Sequence, residues 1–271
     1  MVHIKRTRSH PHAAEVEAAG LRWLRSAEQA GGPRIVKVLR TAPSALYLQR
    51  IAPGRANESD AVAFGAALAK MHCAVWPPET FAAENRSPVP FGALPPDHPA
   101  GTPPLFGPAD ELLELGAGRH PSWGVFHATE RLEPVLAALH GAVAPMDLRT
   151  LRRAQDRIGS GVFDCAEPAS LIHGDLWNGN ALWSDSGVVL IDPAAHTGHR
   201  EADLAMLQLF GLPHLDAVLH SYQQTAPLTD GWRNRVPIHQ LFYLAVHLLL
   251  FGPGYRDATM AAAETTLQLG N

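Results

Sequence analysis

The apolar positions along this chain change period several times, and each change marks an element. Val2-His3-Ile4-Lys5 alternates and reads as the end of a strand. Over residues 12–30, Val16, Gly20, Trp23, Leu24 and Ala27 recur at helical spacing, and Gly31-Gly32-Pro33 stops the helix. Residues 35–39 and 45–51 are strand-length apolar runs, the second ending at Pro53-Gly54. Asp60 is placed to cap a helix over 61–72. Residues 77–108 are dense in proline and glycine, so no helix or long strand fits there. Such a stretch is a surface loop or a wall over a pocket. Helical spacing resumes from Trp123 to Leu139 and returns over 147–158, 201–209, 215–224 and 238–251. Between them, Ala181-Leu182-Trp183 and residues 188–191 are two short apolar runs separated by the turn Asp185-Ser186-Gly187. No internal repeat is present. The pattern predicts an α+β fold with two lobes: a small, strand-containing N-terminal lobe over 1–53 and a larger, mainly helical lobe over 54–271. A small-molecule site belongs in the cleft where they meet.

Composition narrows the classes. At 271 residues and 46% hydrophobic, the chain can bury a sizeable core. A net charge of −4 gives no basic footprint for nucleic acid. Cys73 and Cys165 are the only cysteines and have no CxxC partner, which points to a reducing compartment without a disulfide framework. No apolar run reaches membrane-spanning length, and the basic N-terminus lacks the apolar stretch of a signal peptide. The expectation is a cytoplasmic protein with neither membrane nor nucleic-acid partners.

The chemistry concentrates in LIHGDLWNGNALWSDSGVVLID, residues 171–192. His173-Gly174-Asp175 followed by Asn180 has the H-x-D-x4-N spacing of a kinase catalytic loop. The hairpin after Asn180 returns Asp192 to the same end. Taken singly, Asp175 starts a turn and Asp192 caps an element. Together the three side chains suit phosphoryl transfer. Asn180 and Asp192 supply oxygen ligands for magnesium, and Asp175 orients an acceptor hydroxyl and takes its proton. Two more residues complete the nucleotide side. Lys5 on the first strand and Glu17 on the next helix can form the cation and buried counter-charge that position the α- and β-phosphates. Glu15 points ~200° away around the helix. The competing reading of Lys5 and Glu17 is a solvated basic tail beside an acidic helix face. Adenine would then meet main-chain groups near Gln49, Arg50 and Ile51, at the end of the last N-terminal strand. A Gly-rich hairpin ahead of the lysine strand is not in the sequence, so the start codon lies upstream, or the small lobe is truncated at its first strands, or the protein has lost this cover, the first two being favoured because the downstream residues look intact.

The chain resembles the fructosamine kinases (ketosamine-3-kinases), part of the aminoglycoside-phosphotransferase-like kinases with a protein-kinase-like fold. The resemblance is carried by HGDLWNGN, IDPAAHTGHREADLAMLQLFG, PLTDGWRNR and Phe251-Gly252-Pro253-Gly254-Tyr255. It extends upstream through Trp123, Arg131 and Leu132 to Glu17-Ala18-Ala19-Gly20-Leu21 and Lys5. The tryptophan after HGDL and the HREADLA string narrow it beyond the wider superfamily. It implies an ATP- and Mg2+-dependent transferase acting on a sugar hydroxyl of a ketoamine, on a small molecule or a glycated protein. It also implies Asp175 as base, Asn180 and Asp192 as metal ligands, and Lys5 with Glu17 as the nucleotide-positioning pair. An aminoglycoside, a choline-like amine, or nucleotide binding without turnover (a pseudokinase) are the alternatives.

Further residues carry roles of their own. The indole of Trp177 could stack on a sugar face and attract a cationic amine, or steady the loop as a core side chain. Tyr255 is placed to line the sugar pocket or simply to end a helix. Asp203 opens an apolar helix, where first-turn placement is its local role and bracing of the catalytic loop its implied one. His173 and Glu201 read as structural supports.

Overall fold

The structure, a computed structural model, describes residues 1–7, 9–74 and 89–270. The N-terminal strand β1 (Val2–Arg6) precedes α1 (Ala13–Ser26), which tightens into a 3-10 turn over Ala27–Ala30 and ends at Gly31. The apolar run at 35–39 does not form one strand. It divides into β2 (Arg34–Ile35) and β3 (Val38–Ala42), which join different sheets. β4 (Ala45–Gln49) lies between β1 and β3 in an antiparallel sheet, with Lys5 opposite Leu46. Leu46 and Leu48 point into the core, and so do Ala14, Ala18, Leu21 and Leu24 of α1, spaced to put one helix face against the sheet.

α2 (Glu58–Cys73) starts three residues earlier than Asp60 as a cap suggested. Asn57 is the cap: its Oδ1 accepts the Asp60 N–H at 2.9 Å, and Asp60 stands inside the first turn. Residues 77–88 of the Pro-rich stretch lie outside the described residues. The rest contains only β5 (Leu105–Phe106), paired with β6 (Leu113–Glu114). The helical run from Trp123 is three segments: α3 (Trp123–Phe126), a π-helical turn over His127–Leu132, and α4 (Glu133–Ala138). α5 (Pro145–Gly159) leads to β7 (Ser170–Ile172) and the hairpin β8 (Ala181–Ser184) and β9 (Gly187–Leu190). β10 (His196–Gly198) pairs back with β7.

Four helices complete the chain: α6 (Glu201–Phe210), α7 (Leu215–Thr225), α8 (Trp232–Phe251) and α9 (Arg256–Gln268). The last was not legible in the sequence. It buries Thr259, Met260, Ala262, Ala263 and Thr266, small or hydroxyl-bearing residues whose apolar stripe has little contrast. Two apolar cores result. One joins α1 and β4 to α2, β9 and α7, and so runs across residue 53; the other joins α3 to α5 with α8 and α9. β2 strengthens the first by pairing in parallel with β9, Arg34 opposite Val189. The segment 170–203 runs between these cores. No helix among the described residues is long and apolar enough to cross a membrane.

Candidate active site

The loop after β7 is held by a carboxylate from another element. Asp203, in the first turn of α6 and fully buried, accepts the backbone N–H of His173 at 2.8 Å and of Gly174 at 2.9 Å. His72 of α2 donates to it at 3.1 Å. Burial alone would raise this carboxyl, but His72 and the loop amides outweigh it and hold it below its ordinary value. Gly174 has φ +81°, and a Cβ there would stand 2.3 Å from the Ala194 carbonyl oxygen, so a side chain is excluded on both counts. His173 Nε2 donates to the Ile191 carbonyl at 2.9 Å, and its Nδ1 accepts the Asp175 N–H at 3.3 Å. Both nitrogens are therefore committed to backbone, and burial keeps the ring below its ordinary value. This histidine orders the loop.

That loop and the β8–β9 hairpin bring the motif residues together. Asn180 Nδ2 donates to the Asp175 carbonyl at 2.8 Å, to Asp175 Oδ2 at 3.0 Å and to the Asp192 carbonyl at 3.4 Å. Its amide protons thus face the loop, and no hydrogen bond among the described residues uses its Oδ1. Asp192 adopts φ 53°, a left-handed conformation that aspartate tolerates better than most residues. Lys5 Nζ reaches Glu17 Oε2 at 2.7 Å and Asp192 Oδ1 at 3.1 Å. The small pair and the motif thus share one site, although 187 residues separate Lys5 from Asp192 (192 − 5).

The site is electrostatically tense. Burial pushes Asp175 up to about 7; its hydrogen bond from Asn180 opposes this, and the neighbouring Asp192 charge adds to it. Burial would lower Lys5, but Glu17 and Asp192 beside it overcome that and hold it above its ordinary value. Glu17 is raised chiefly by burial, against the pull of Lys5. Its Oε1 is buried without a hydrogen-bond partner.

These residues open onto a cleft of about 370 Å³, lined by Lys5, Glu17, Asp175, Asn180 and Asp192 together with an aromatic flank. Trp177, 39% exposed, lies edge-on to Phe210 at 6.0 Å, and His247 sits 4.8 Å from Phe210. Phe106, His247 and Phe251 also line the cleft, and sequence reading missed all three. Phe106 stands on β5, so the described part of the Pro-rich stretch is a cleft wall. His247 and Phe251 are one turn apart on α8, a run that reads as core helix from its apolarity. Tyr255 is not among the residues lining the cleft; its ring lies 5.1 Å from His247 and 6.3 Å from Phe251, tilted to both. Gln49, Arg50 and Ile51 do not line it either. The Gln49 N–H donates to the Lys37 carbonyl and the Arg50 N–H to that of Met1, and the Ile51 N–H has no backbone partner among the described residues. Glu201 is paired with Arg235 of α8 at 2.5 and 2.9 Å; burial would raise it, yet His239 and Arg235 bring it down to about 2. It ties α6 to α8, away from the cleft.

The donor set fits a hard divalent cation. Such ions take oxygen ligands, and the Asp192 carboxylate and Asn180 Oδ1 are oxygens on one cleft wall, with the Asn180 amide orientation already fixed by Asp175.

The family model for fructosamine kinase matches residues 118–269. A probable ketoamine kinase of Lactiplantibacillus plantarum is 33% identical over 254 residues, 89% of this chain and 78% of that protein. A crystal structure assigned as a fructosamine-3-kinase of Thermobifida fusca is 34% identical, with a TM-score of 0.79 over 98% of this chain and 85% of that one. An ADP-bound aminoglycoside phosphotransferase is 14% identical with a TM-score of 0.55 over 98% of this chain and 86% of that one, and so shares the fold. Sequence, protein-kinase-like fold and catalytic loop therefore converge: this chain belongs to the fructosamine kinase family.

Proposed function

We propose that the protein is an ATP-dependent ketosamine kinase that phosphorylates a sugar hydroxyl of glycated amines. The observation that carries the reading is the convergence of Lys5, Glu17 and Asp192 within 3.1 Å contacts, beside the Asp175–Asn180 pair at 3.0 Å. In the proposed reaction Lys5, steadied by Glu17, engages the nucleotide phosphates. Asn180 and Asp192 hold Mg2+, which when bound offsets charge on the transferring group. Adenine meets backbone at the end of β4, where the Ile51 N–H and neighbouring carbonyls are its partners. Asp175 accepts the proton of the acceptor hydroxyl as the oxygen forms its bond to the γ-phosphorus and the bond to ADP breaks; the proton then passes to solvent. Trp177 stacks on the ketoamine, its face suited both to an apolar sugar side and to an ammonium. Because Trp177 and Phe251 stand exposed at 39% and 56%, a ketoamine carried on a protein surface can reach them as well as a free one.

The test is a panel of ketoamines, parent sugars, aminoglycosides and choline offered with ATP and magnesium, with phosphorylated product identified by mass. Phosphorylation confined to the ketoamines supports the reading. Preferred transfer to another acceptor, or ATP binding with no transfer to any, overturns it.

A further inference from the structure

A second cavity, about 40 Å³, lies against the catalytic loop. Val16, Leu105, Phe106, Pro193 and Ala194 line both it and the active cleft, and so form their common wall. A space of that size holds about three waters or one small ion.

Its chemistry is set by Arg131. This residue is 4% exposed and lines the cavity. Its guanidinium lies over the Phe126 ring at 4.5 Å, and Nη1 donates to the Gly116 and Glu130 carbonyls at 3.0 and 3.1 Å. No carboxylate among the described residues pairs with it. The adjacent Glu130 is turned away, to His120 at 2.8 Å and the Gly118 N–H at 3.0 Å. The Nε and Nη2 of Arg131 donate to no protein atom among the described residues. Burial lowers the group only to about 10, so it is charged at neutral pH. Glu130 offsets this charge through space without touching it. A buried cation without a contacting counter-charge is costly, and water satisfies its donors without neutralising it.

Two further observations point the same way. Nε2 of His127, which lines the cavity, is buried without a partner among the described residues; a buried polar atom of that kind calls for a water or ion. His127 and Arg131 both stand in the π-helical turn His127–Leu132. Such turns re-aim side chains and recur at functional sites.

We propose that this cavity binds a carboxylate-sized monoanion on the Nε–Nη2 edge of Arg131. A planar two-oxygen anion matches the guanidinium fork, and one negative charge matches the single cation. The common wall couples its occupancy to the cleft. Tyr243, which lines the cavity, donates from its hydroxyl to the Gly174 carbonyl at 3.1 Å, and Gly20 of α1 packs against Pro193 and Ala195 so closely that a Cβ there would stand 3.4 Å from both side chains. A filled cavity steadies both.

The probe is sodium formate against sodium gluconate at equal ionic strength, gluconate being too long for the cavity. At a formate concentration ten times its dissociation constant, the unfolding midpoint of the full chain should rise by about 3 °C over gluconate. Arg131→Met should abolish the difference. Arg131→Lys, which keeps the charge and loses the fork, should reduce it and serves if the methionine variant does not fold. No formate-specific rise in the wild type, or an equal rise in either variant, overturns the proposal. The carboxylate of a glycated amino acid is a second source of the same chemistry. In that case formate raises the KM of that acceptor and leaves the KM of its amide unchanged; a resident free anion leaves the two alike.

Discussion

Replacing Asp175 with asparagine removes one charge from the cleft while keeping shape and the hydrogen bond from Asn180. Burial raises this carboxyl from 3.8 to about 7. A displacement of about 3 units at ~1.4 kcal/mol each sets a ceiling of ~4 kcal/mol on the cost of ionising it in the folded chain. Asp175 opens partly onto the cleft, and the water there reduces this to about 2 kcal/mol. The sign follows from the direction. A carboxyl raised on folding holds its proton more tightly in the native state, so the penalty is absent below pH ~4, grows as pH rises, and is complete above pH ~7. Asp175→Asn should therefore match the wild type in acid and exceed it in base. Urea unfolding at pH 5 and pH 8 should show the gap widening by about 1 kcal/mol. Turnover should fall by ~10²–10⁴, the usual contribution of a general base, with little change in the KM for ATP. Stability curves that run parallel across this pH range, or equal losses in nucleotide affinity and turnover, would refute the account of Asp175.

Three further outcomes are expected. Lys5→Met should raise the KM for ATP by tenfold or more and leave Glu17 buried without its cation, costing about 2 kcal/mol in urea unfolding at pH 8. Asp203→Asn should cost about 3 kcal/mol in the same assay, because an amide cannot accept the N–H groups of His173 and Gly174 and a proton from His72 together; turnover should fall with it. Trp177→Ala should raise the KM of the acceptor about fivefold, measured beside an unchanged KM for ATP.

How far the sequence carried depends on the range of each signal. That Lys5, Glu17, Asp175, Asn180 and Asp192 come together was legible because their types and spacings follow the pattern of a phosphoryl-transfer site, the role proposed for them. Strand pairings were less so: nothing in residues 35–39 says that Ile35 pairs with Leu190 while Val38 turns to Leu48. The cap of α2 was misplaced for a local reason. Asn57 and Asp60 are both good caps, and only the backbone shows which one sits outside the helix. Cleft residues were the hardest. Phe106 comes from a two-residue strand inside a Pro-rich stretch, and His247 and Phe251 sit on a helix whose apolarity serves core and cleft alike. Tyr255 was drawn toward the pocket by its neighbours in sequence, but it ends a 3-10 turn over Pro253–Tyr255 and is not among the residues lining the cleft.

The ion pairs of Lys5 offset the charge gathered in the cleft. Asp175, Asp192 and Glu17 are three acids around one cation, and each would be more costly alone. Lys5 touches two of them, and burial raises Asp175 and Glu17 above the range of surface carboxyls. The same arrangement links the two halves of the site. On the proposed roles, a phosphate that drew Lys5 away would loosen its contact with Asp192 and free that carboxylate for a divalent cation, and a cation on Asp192 would in turn release Lys5 toward phosphate. Nucleotide and metal would then support each other's binding. Glu17 keeps Lys5 in place through the exchange, because its 2.7 Å contact belongs to α1 and does not depend on either ligand.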